Sequence, residues 1–174
     1  TFARGLGLNT MNTIGVMCAD SSYPYQAKAI YYIEQNLRAN GYDCILCCTG
    51  DTLERKKECM ELLLTKKVDG IILIGSTYIN EEDKDNKYIA DAATQVPVML
   101  LNGTLPAPNV YGILSDDTAS VKQATLYMID SGISDVLYFY DSHSYSSKKK
   151  LAGYRSAMES RGLLKDERLL QYYG

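Results

Sequence analysis

The chain alternates short apolar runs with stretches whose apolar residues recur at helical spacing, and few architectures accommodate that rhythm. Thr13–Ala19, Tyr42–Thr49, Val68–Gly75 and Val96–Asn102 read as strands, and Val110–Leu114 as a fifth. Between them, Gln26–Asn40 places Ile30, Ile33 and Leu37 on one helical face, and Asn40-Gly41 is a stop signal. Asp51-Thr52-Leu53-Glu54 has the form of a capping box and opens a helix to about Lys67; Glu82–Thr94 is a weaker helix. Runs apolar on both faces, joined by short helical crossovers, predict a parallel sheet covered by helices on both sides. Right-handed crossovers then make it a doubly wound α/β fold.

The segment Leu101–Pro108 holds two of the four prolines and interrupts the rhythm. A second subdomain is expected from about Asp117. There a helix with Val121, Ala124 and Met128 inward runs to Gly132, and a strand follows at Asp135–Tyr140. A polar loop, Asp141–Ser147, leads into a helix at Lys148–Arg161, with Leu151, Tyr154 and Met158 on one face and Gly162 as its stop. Arg168–Tyr172 is the last predicted strand. At 174 residues the chain has the length of one domain, or one and part of another.

Ligands of such sheets bind beyond the carboxyl ends of the strands. Those positions are Asp20–Tyr25, Gly50–Asp51, Ser76–Tyr78, Asn102–Thr104 and Asp141–Ser147. Their Ser, Thr, Asn, Asp and Tyr side chains suit a neutral polyol better than a highly charged ligand. The aromatic balance, 15 Tyr against 2 Phe and no Trp, fits a wet cleft, with Tyr23, Tyr25 and Tyr145 in loops. It equally fits simple compositional drift. No phosphate-binding G-x-x-x-x-G-K-[ST], G-x-S-x-G elbow or His-based metal pattern occurs. Arg4-Gly5-Leu6-Gly7 precedes the first strand instead of following it. His143, the single histidine, reads as a solvent-facing or ligand-lining loop residue, with no partner that sequence fixes. Neither catalytic residues nor a cofactor is expected. Cys18, Cys44, Cys47, Cys48 and Cys59 are odd in number, and the middle three sit on one strand with no His nearby. Buried free thiols in a reducing cytoplasm are therefore expected over a zinc site. The chain has no apolar run long enough for a membrane span, and its start has no signal-like segment. The net charge of −3 gives no broad phosphate-binding surface. Lys148-Lys149-Lys150, at the predicted start of a helix, oppose the helix dipole and call for a local acceptor.

Several segments, in order, resemble the LacI/GalR family of bacterial transcription regulators. They are Thr13-Ile14-Gly15-Val16 with Asp20-Ser21-Ser22-Tyr23-Pro24-Tyr25; Asn40-Gly41-Tyr42 with Leu46-Cys47-Cys48-Thr49; Val68-Asp69-Gly70-Ile71-Ile72; Val96-Pro97-Val98; and Leu151-Ala152-Gly153-Tyr154. Ala3–Ile14 resembles the linker that follows that family's helix-turn-helix and hinge. The resemblance implies a cytoplasmic, periplasmic-binding-protein-like effector domain of two lobes. Residues 1–12 are then linker, 13–116 the first lobe, and 117–174 the crossover and first part of an incomplete second lobe. It implies a homodimer, for which off-core residues such as Tyr31, Tyr32 and Gln35 are the candidate contacts, and operator DNA bound by a headpiece that this chain lacks. The family's aromatic ligand-loop pair falls on Tyr25 and Gln26, its polar residue after the fourth strand on Asn102, its acceptors on Ser144 and Ser146, and its ligand-clamping Arg on Lys150. With Asp20, Tyr23 and Ser76 from the strand ends, these are the candidate ligand-binding residues. Gln26 in place of an aromatic weakens sugar stacking, and Lys150 in place of Arg loses bidentate geometry. The expected ligand is a sugar or sugar phosphate. The alternatives are an exported solute-binding protein of the same fold and a flavodoxin-like enzyme or signalling domain.

Overall fold

A computed structural model describes residues 10–163 and 170–173. The Arg4–Gly7 fragment, most of the linker-like segment, and Arg168 and Leu169 of the last predicted strand lie outside the described residues. The chain divides into two compact units, Thr1–Leu114 and Ser115–Gly174.

In the first unit, five strands form a wholly parallel sheet. They are β1 (Thr13–Cys18), β2 (Asp43–Cys48), β3 (Gly70–Ile74), β4 (Val98–Leu101) and β5 (Val110–Ile113), in the order β2-β1-β3-β4-β5. Three helices connect them: α1 (Pro24–Ala39), α2 (Leu53–Thr65) and α3 (Asp83–Ala93). Successive strand residues face opposite ways, so β1 feeds two cores. Val16 and Cys18 pack with Ile74 beneath Ile30, Ile33 and Leu37 of α1, the predicted face. Met17 packs with Leu73 and Leu100 against Met60 and Leu63 of α2 and Ile89 of α3. The fold expected from the apolar rhythm is the fold observed.

The Val68-Asp69-Gly70 segment has a clear structural task. The Asp69 carboxylate accepts the N–H groups of Met11 (3.1 Å) and Thr13 (2.8 Å), tying the entry of β1 to the entry of β3. Gly15 lets α2 lie close on β1: a Cβ there would stand 2.7 Å from Leu63 Cδ1.

Two boundaries differ from expectation in an instructive way. Helix α1 starts at Pro24, whose missing N–H costs nothing in a first turn. Helix α2 is capped by Thr52, whose hydroxyl accepts the Arg55 N–H, so Asp51 is not the cap and the predicted box is displaced by one residue.

The second unit contains α4 (Asp117–Asp130), β6 (Tyr138–Tyr140), α5 (Tyr145–Ser160) and β7 (Leu170–Tyr172); β6 and β7 pair in parallel. Val136, Tyr154 and Met158 form its core, with Val121, Met128, Ile129 and Leu151 around them. Ala124, expected inward, is exposed, and Thr125 is buried instead. The inward stripe runs 121, 125, 128, 129: Val121 and Met128 face inward as expected, and Thr125 takes the place of Ala124. Helix α5 begins three residues earlier than expected, with Ser144 as its cap accepting the Ser147 N–H. Lys148–Lys150 therefore stand beyond the first turn, where the dipole has faded, and the Lys149 ammonium lies 5.7 Å from the Tyr145 ring centre.

Gly153 explains the Leu151-Ala152-Gly153-Tyr154 segment. A Cβ there would lie 2.3 Å from the Thr118 carbonyl oxygen and 3.1 Å from the Lys122 nitrogen, both backbone atoms of α4. The two helices touch there, and Thr118 Oγ1 donates to the Lys149 carbonyl at 3.1 Å. The buried Tyr154 hydroxyl donates to the Val136 carbonyl at 2.7 Å. Gly153→Ala gains about 1 kcal/mol of helix propensity but forces a backbone clash. The clash wins, and urea denaturation should show a net loss of about 1–3 kcal/mol.

Candidate functional site

Strand order reverses at β1, which sends its crossover to β2 on one side while β3 lies on the other. The carboxyl ends of β1, β3 and β4 are therefore the place where a ligand can enter between diverging loops. Six of the nine predicted site residues stand there.

The β1 loop is closed by its own side chains. The Asp20 carboxylate accepts the Ser22 N–H at 2.8 Å, and the Asp20 N–H donates to Gln26 Oε1 at 3.1 Å. Backbone and side-chain hydrogen bonds from Ser22 hold the Asp20 carboxyl below the usual carboxylate range. Tyr23 precedes the first residue of α1 without a side-chain capping bond, and Tyr23 and Tyr25 are each 53 % exposed. Tyr25 reaches across the rim, where its hydroxyl accepts from Asn102 Nδ2 at 2.9 Å. Asn102 follows β4 in a left-handed conformation (φ 60°), which Asn tolerates better than most residues. The structure thus brings Tyr25 and Asn102 together, and ties Gln26 to Asp20.

Ser76 opens a 3₁₀ turn, Ser76–Tyr78, after β3. That turn is anchored from below. The Thr77 carbonyl accepts from Lys56 Nζ at 2.8 Å, and the Lys56 ammonium lies 5.4 Å from the Tyr78 ring centre. Lys56 is only 3 % exposed. Desolvation lowers its pKa, opposed by the Asp51 carboxylate. The buried Tyr78 hydroxyl meets Thr49 Oγ1 at 3.2 Å, and Thr49 Oγ1 also bonds the Gly50 carbonyl at 2.7 Å. Burial pushes the Tyr78 phenol up, with the Thr49 hydrogen bond acting the other way. Sequence reasoning passed over Lys56 and Thr49. For Lys56 the signal was present: it lies four and seven residues before Met60 and Leu63, on the apolar stripe of α2.

In the second unit, Ser144 caps α5 and lies 3.4 Å, Oγ to Oγ, from Ser142. Ser146 is buried and donates to the Asp117 carboxylate at 2.5 Å; Ser115 donates to the other Asp117 oxygen at 3.0 Å. Asp117 was not anticipated. Lys150 is exposed on α5. Tyr145 is the first residue of that helix and not a loop residue. His143 stacks on Tyr172 (ring centres 4.9 Å apart, planes at 28°) and meets Tyr140 edge-on at 5.8 Å. Tyr140 and Tyr172, which close β6 and β7, were also missed; a Tyr ending each strand was the available signal.

The thiols differ from expectation. Cys18 and Cys47 are buried, but Cys44 and Cys59 are half-buried and Cys48 is exposed at an edge strand. Among the described residues, no three His, Cys, Asp or Glu side chains cluster to hold a metal. No helix among them is long and apolar enough to cross a membrane. A groove of about 420 Å³ between α2 and α3 lies away from the strand ends. Its lining mixes Lys57, Lys84 and Lys87 with Glu61 and Asp91, so it favours neither sign of ligand charge.

The family model described as periplasmic binding proteins and sugar binding domain of LacI family matches residues 11–172. The chain belongs to that family. It is 51% identical over 170 residues to an HTH-type transcriptional regulator of Lachnoclostridium phytofermentans, covering 98% of this chain and 51% of that protein. It is 27% identical to the ribose operon repressor of Escherichia coli, covering 92% of this chain and 48% of the repressor. Among solved structures, a putative ribose operon repressor from Burkholderia thailandensis superposes with a TM-score of 0.80 at 25% identity, over 92% of this chain and 60% of that one. The chain thus spans about half the length of the curated relatives it matches.

The buried Thr49–Tyr78 pair beneath the strand-end rim has a stability consequence of its own. Thr49→Val leaves the buried Tyr78 hydroxyl without its partner and should cost about 1–3 kcal/mol. Adding Tyr78→Phe should recover part of that loss, because both polar groups are then gone. A double-mutant cycle by chemical denaturation checks both.

Proposed function

We propose that this chain is the effector-sensing part of a bacterial transcription regulator. Its effector is a small carbohydrate, a sugar or sugar phosphate. Asp20, Tyr23, Tyr25, Gln26, Ser76 and Asn102 of the first unit contact it; Ser144, Ser146 and Lys150 are the second unit's own candidate ligand groups. In the full-length protein, a homodimer in the cytoplasm, occupancy shifts operator affinity through a helix-turn-helix headpiece. Such coupling is typically about 1–3 kcal/mol.

The observation that carries this reading is the Tyr25–Asn102 bond across the strand ends at the reversal of strand order. It sets an aromatic ring beside an amide, and the Asp20 carboxylate stands in the loop that leads into the helix carrying Tyr25. Each of these groups matches sugar chemistry. Carboxylate and amide oxygens accept from hydroxyls, amide and phenol hydrogens donate to them, and ring faces cover the apolar C–H surface. Lys150 adds a point charge suited to a phosphate or an electron-rich oxygen. The relatives are named as regulators and repressors, one of them of a ribose operon, which favours sensing over transport and over catalysis.

Titration calorimetry of the full-length protein against pentoses, hexoses and their phosphates tests the proposal. A ligand at 100 times its Kd should stabilise the fold by about 2.7 kcal/mol, readable by thermal shift. Asn102→Ala should weaken binding roughly 10-fold or more, the loss of one or two hydrogen bonds. No binding by any of these compounds would sink the reading. Because the Asp20 carboxyl is held below its ordinary range, the charged acceptor persists throughout that range and is lost only as pH falls below it. Affinity for a neutral sugar should therefore be flat from about pH 8 to pH 5 and fall only in more acid solution, below the usual Asp value of about 3.9.

A further inference from the structure

Two thiols at the carboxyl end of the sheet have no part in sugar recognition. Cys18 closes β1 and Cys48 closes β2, and the two are register partners in adjacent parallel strands. Their sulfurs lie 3.7 Å apart. Neighbouring strands run about 4.7–4.9 Å apart, inside the Cα separation of about 4.4–6.8 Å that disulfides span. Closing an S–S bond there needs side-chain rotation and no movement of the sheet.

The pair is chemically unequal. Cys18 is fully buried, and burial first, then Cys48, pushes its thiol up to about 12. Cys48 is exposed, and the side-chain hydrogen bond of Ser21 leads the effects that hold its thiol below the usual value. A solvent-accessible, thiolate-prone cysteine beside a protected second thiol is the arrangement that peroxide-sensing sites require. The remaining thiols lack it. Cys47 and Cys59 also approach each other, but Cys47 is only 8 % exposed and its thiol is raised by burial and then by Cys59.

We propose that Cys18 and Cys48 form an oxidisable dithiol, a modification site for hydroperoxides. The Cys48 thiolate attacks the terminal peroxide oxygen. The O–O bond breaks, Cys48 becomes a sulfenic acid, and the leaving oxygen takes up a proton to depart as water or an alcohol. Cys18 sulfur then attacks Cys48 sulfur. The S–S bond forms, the S–O bond breaks, and the Cys18 proton leaves with the departing hydroxide as water. One peroxide is reduced by two electrons and the dithiol is oxidised by two. The disulfide withdraws Cys48 from Ser21, which belongs to the Asp20–Tyr25 loop, so oxidation frees one anchor of that loop.

The test needs no effector, so its outcome is independent of the sugar-sensing reading. The reduced full chain is treated with hydrogen peroxide, blocked with N-ethylmaleimide, digested without reductant and mapped by fragmentation mass spectrometry. The expected product is a Cys18–Cys48 link, reversed by dithiothreitol. In Cys18→Ala the same treatment should stop at a Cys48 sulfenic acid that dimedone traps. In the untreated protein Cys48 should react with N-ethylmaleimide on the order of tenfold faster than Cys18 or Cys47. Because the wild-type map requires no variant, failure of Cys18→Ala to fold leaves the central result readable. A Cys47–Cys59 link, a Cys48-mediated link between chains, or unchanged thiols after peroxide treatment would each overturn the proposal.

Discussion

The structure of the first unit depends on one strand being buried on every side. β1 has neighbours at both edges and a helix layer on both faces, and Val16, Met17 and Cys18 are wholly removed from solvent. Such a strand cannot slip: a shift of one residue would exchange the residues facing α1 for those facing α2 and α3. Asp69 sets its start by accepting two β1-side N–H groups, and Gly15 sets how closely α2 can lie on it. With β1 held in this way, the loop that begins at Asp20 leaves the sheet at a fixed height. The rim chemistry is a consequence of that placement.

The groups beneath the rim do a different job from those on it. Thr49, Tyr78 and Lys56 are buried, and their polar atoms are engaged with one another or with loop carbonyls. They support the Ser76–Tyr78 turn. A buried ammonium is tolerated because it has a carbonyl acceptor and an aromatic face nearby, and it stays costly enough to depress its pKa. Tyr23 and Tyr25 are more open, and the exposed Tyr25–Asn102 bond is the one that the proposed effector would displace or join. In the second unit the Asp117–Ser146 bond resembles the first group, and the His143 and Tyr172 rings resemble the second.

Much of this was legible from residue order. The strand runs were visible because central parallel strands are apolar throughout, and Ile30, Ile33 and Leu37 marked the core-facing side of α1 correctly. Departures occurred where several local choices have nearly equal energy. Asp51 and Thr52 are both good caps, and only the path of the chain out of β2 selects Thr52. Ala124 and Thr125 are both small, and the roll of α4 against α5, fixed by the contact at Gly153, buries the polar one. Lys56 was overlooked because a lysine on an apolar stripe usually extends to solvent; here a carbonyl from a distant turn captures it.

Residue order alone determined the α/β class, the parallel sheet, the family likeness and the polar character of the strand ends. Apolar periodicity and short turn signals are local, and they survive without knowledge of what packs against what. Tertiary structure decided which polar residues meet. Tyr25 reaches Asn102 across 77 positions, Thr49 reaches Tyr78, and Cys18 lies against Cys48 at the end of the β1–β2 register. These are contacts between distant segments whose energies of a few kcal/mol depend on distances of a few tenths of an ångström. Only the finished sheet, with its strands in register and its helices seated, sets such distances.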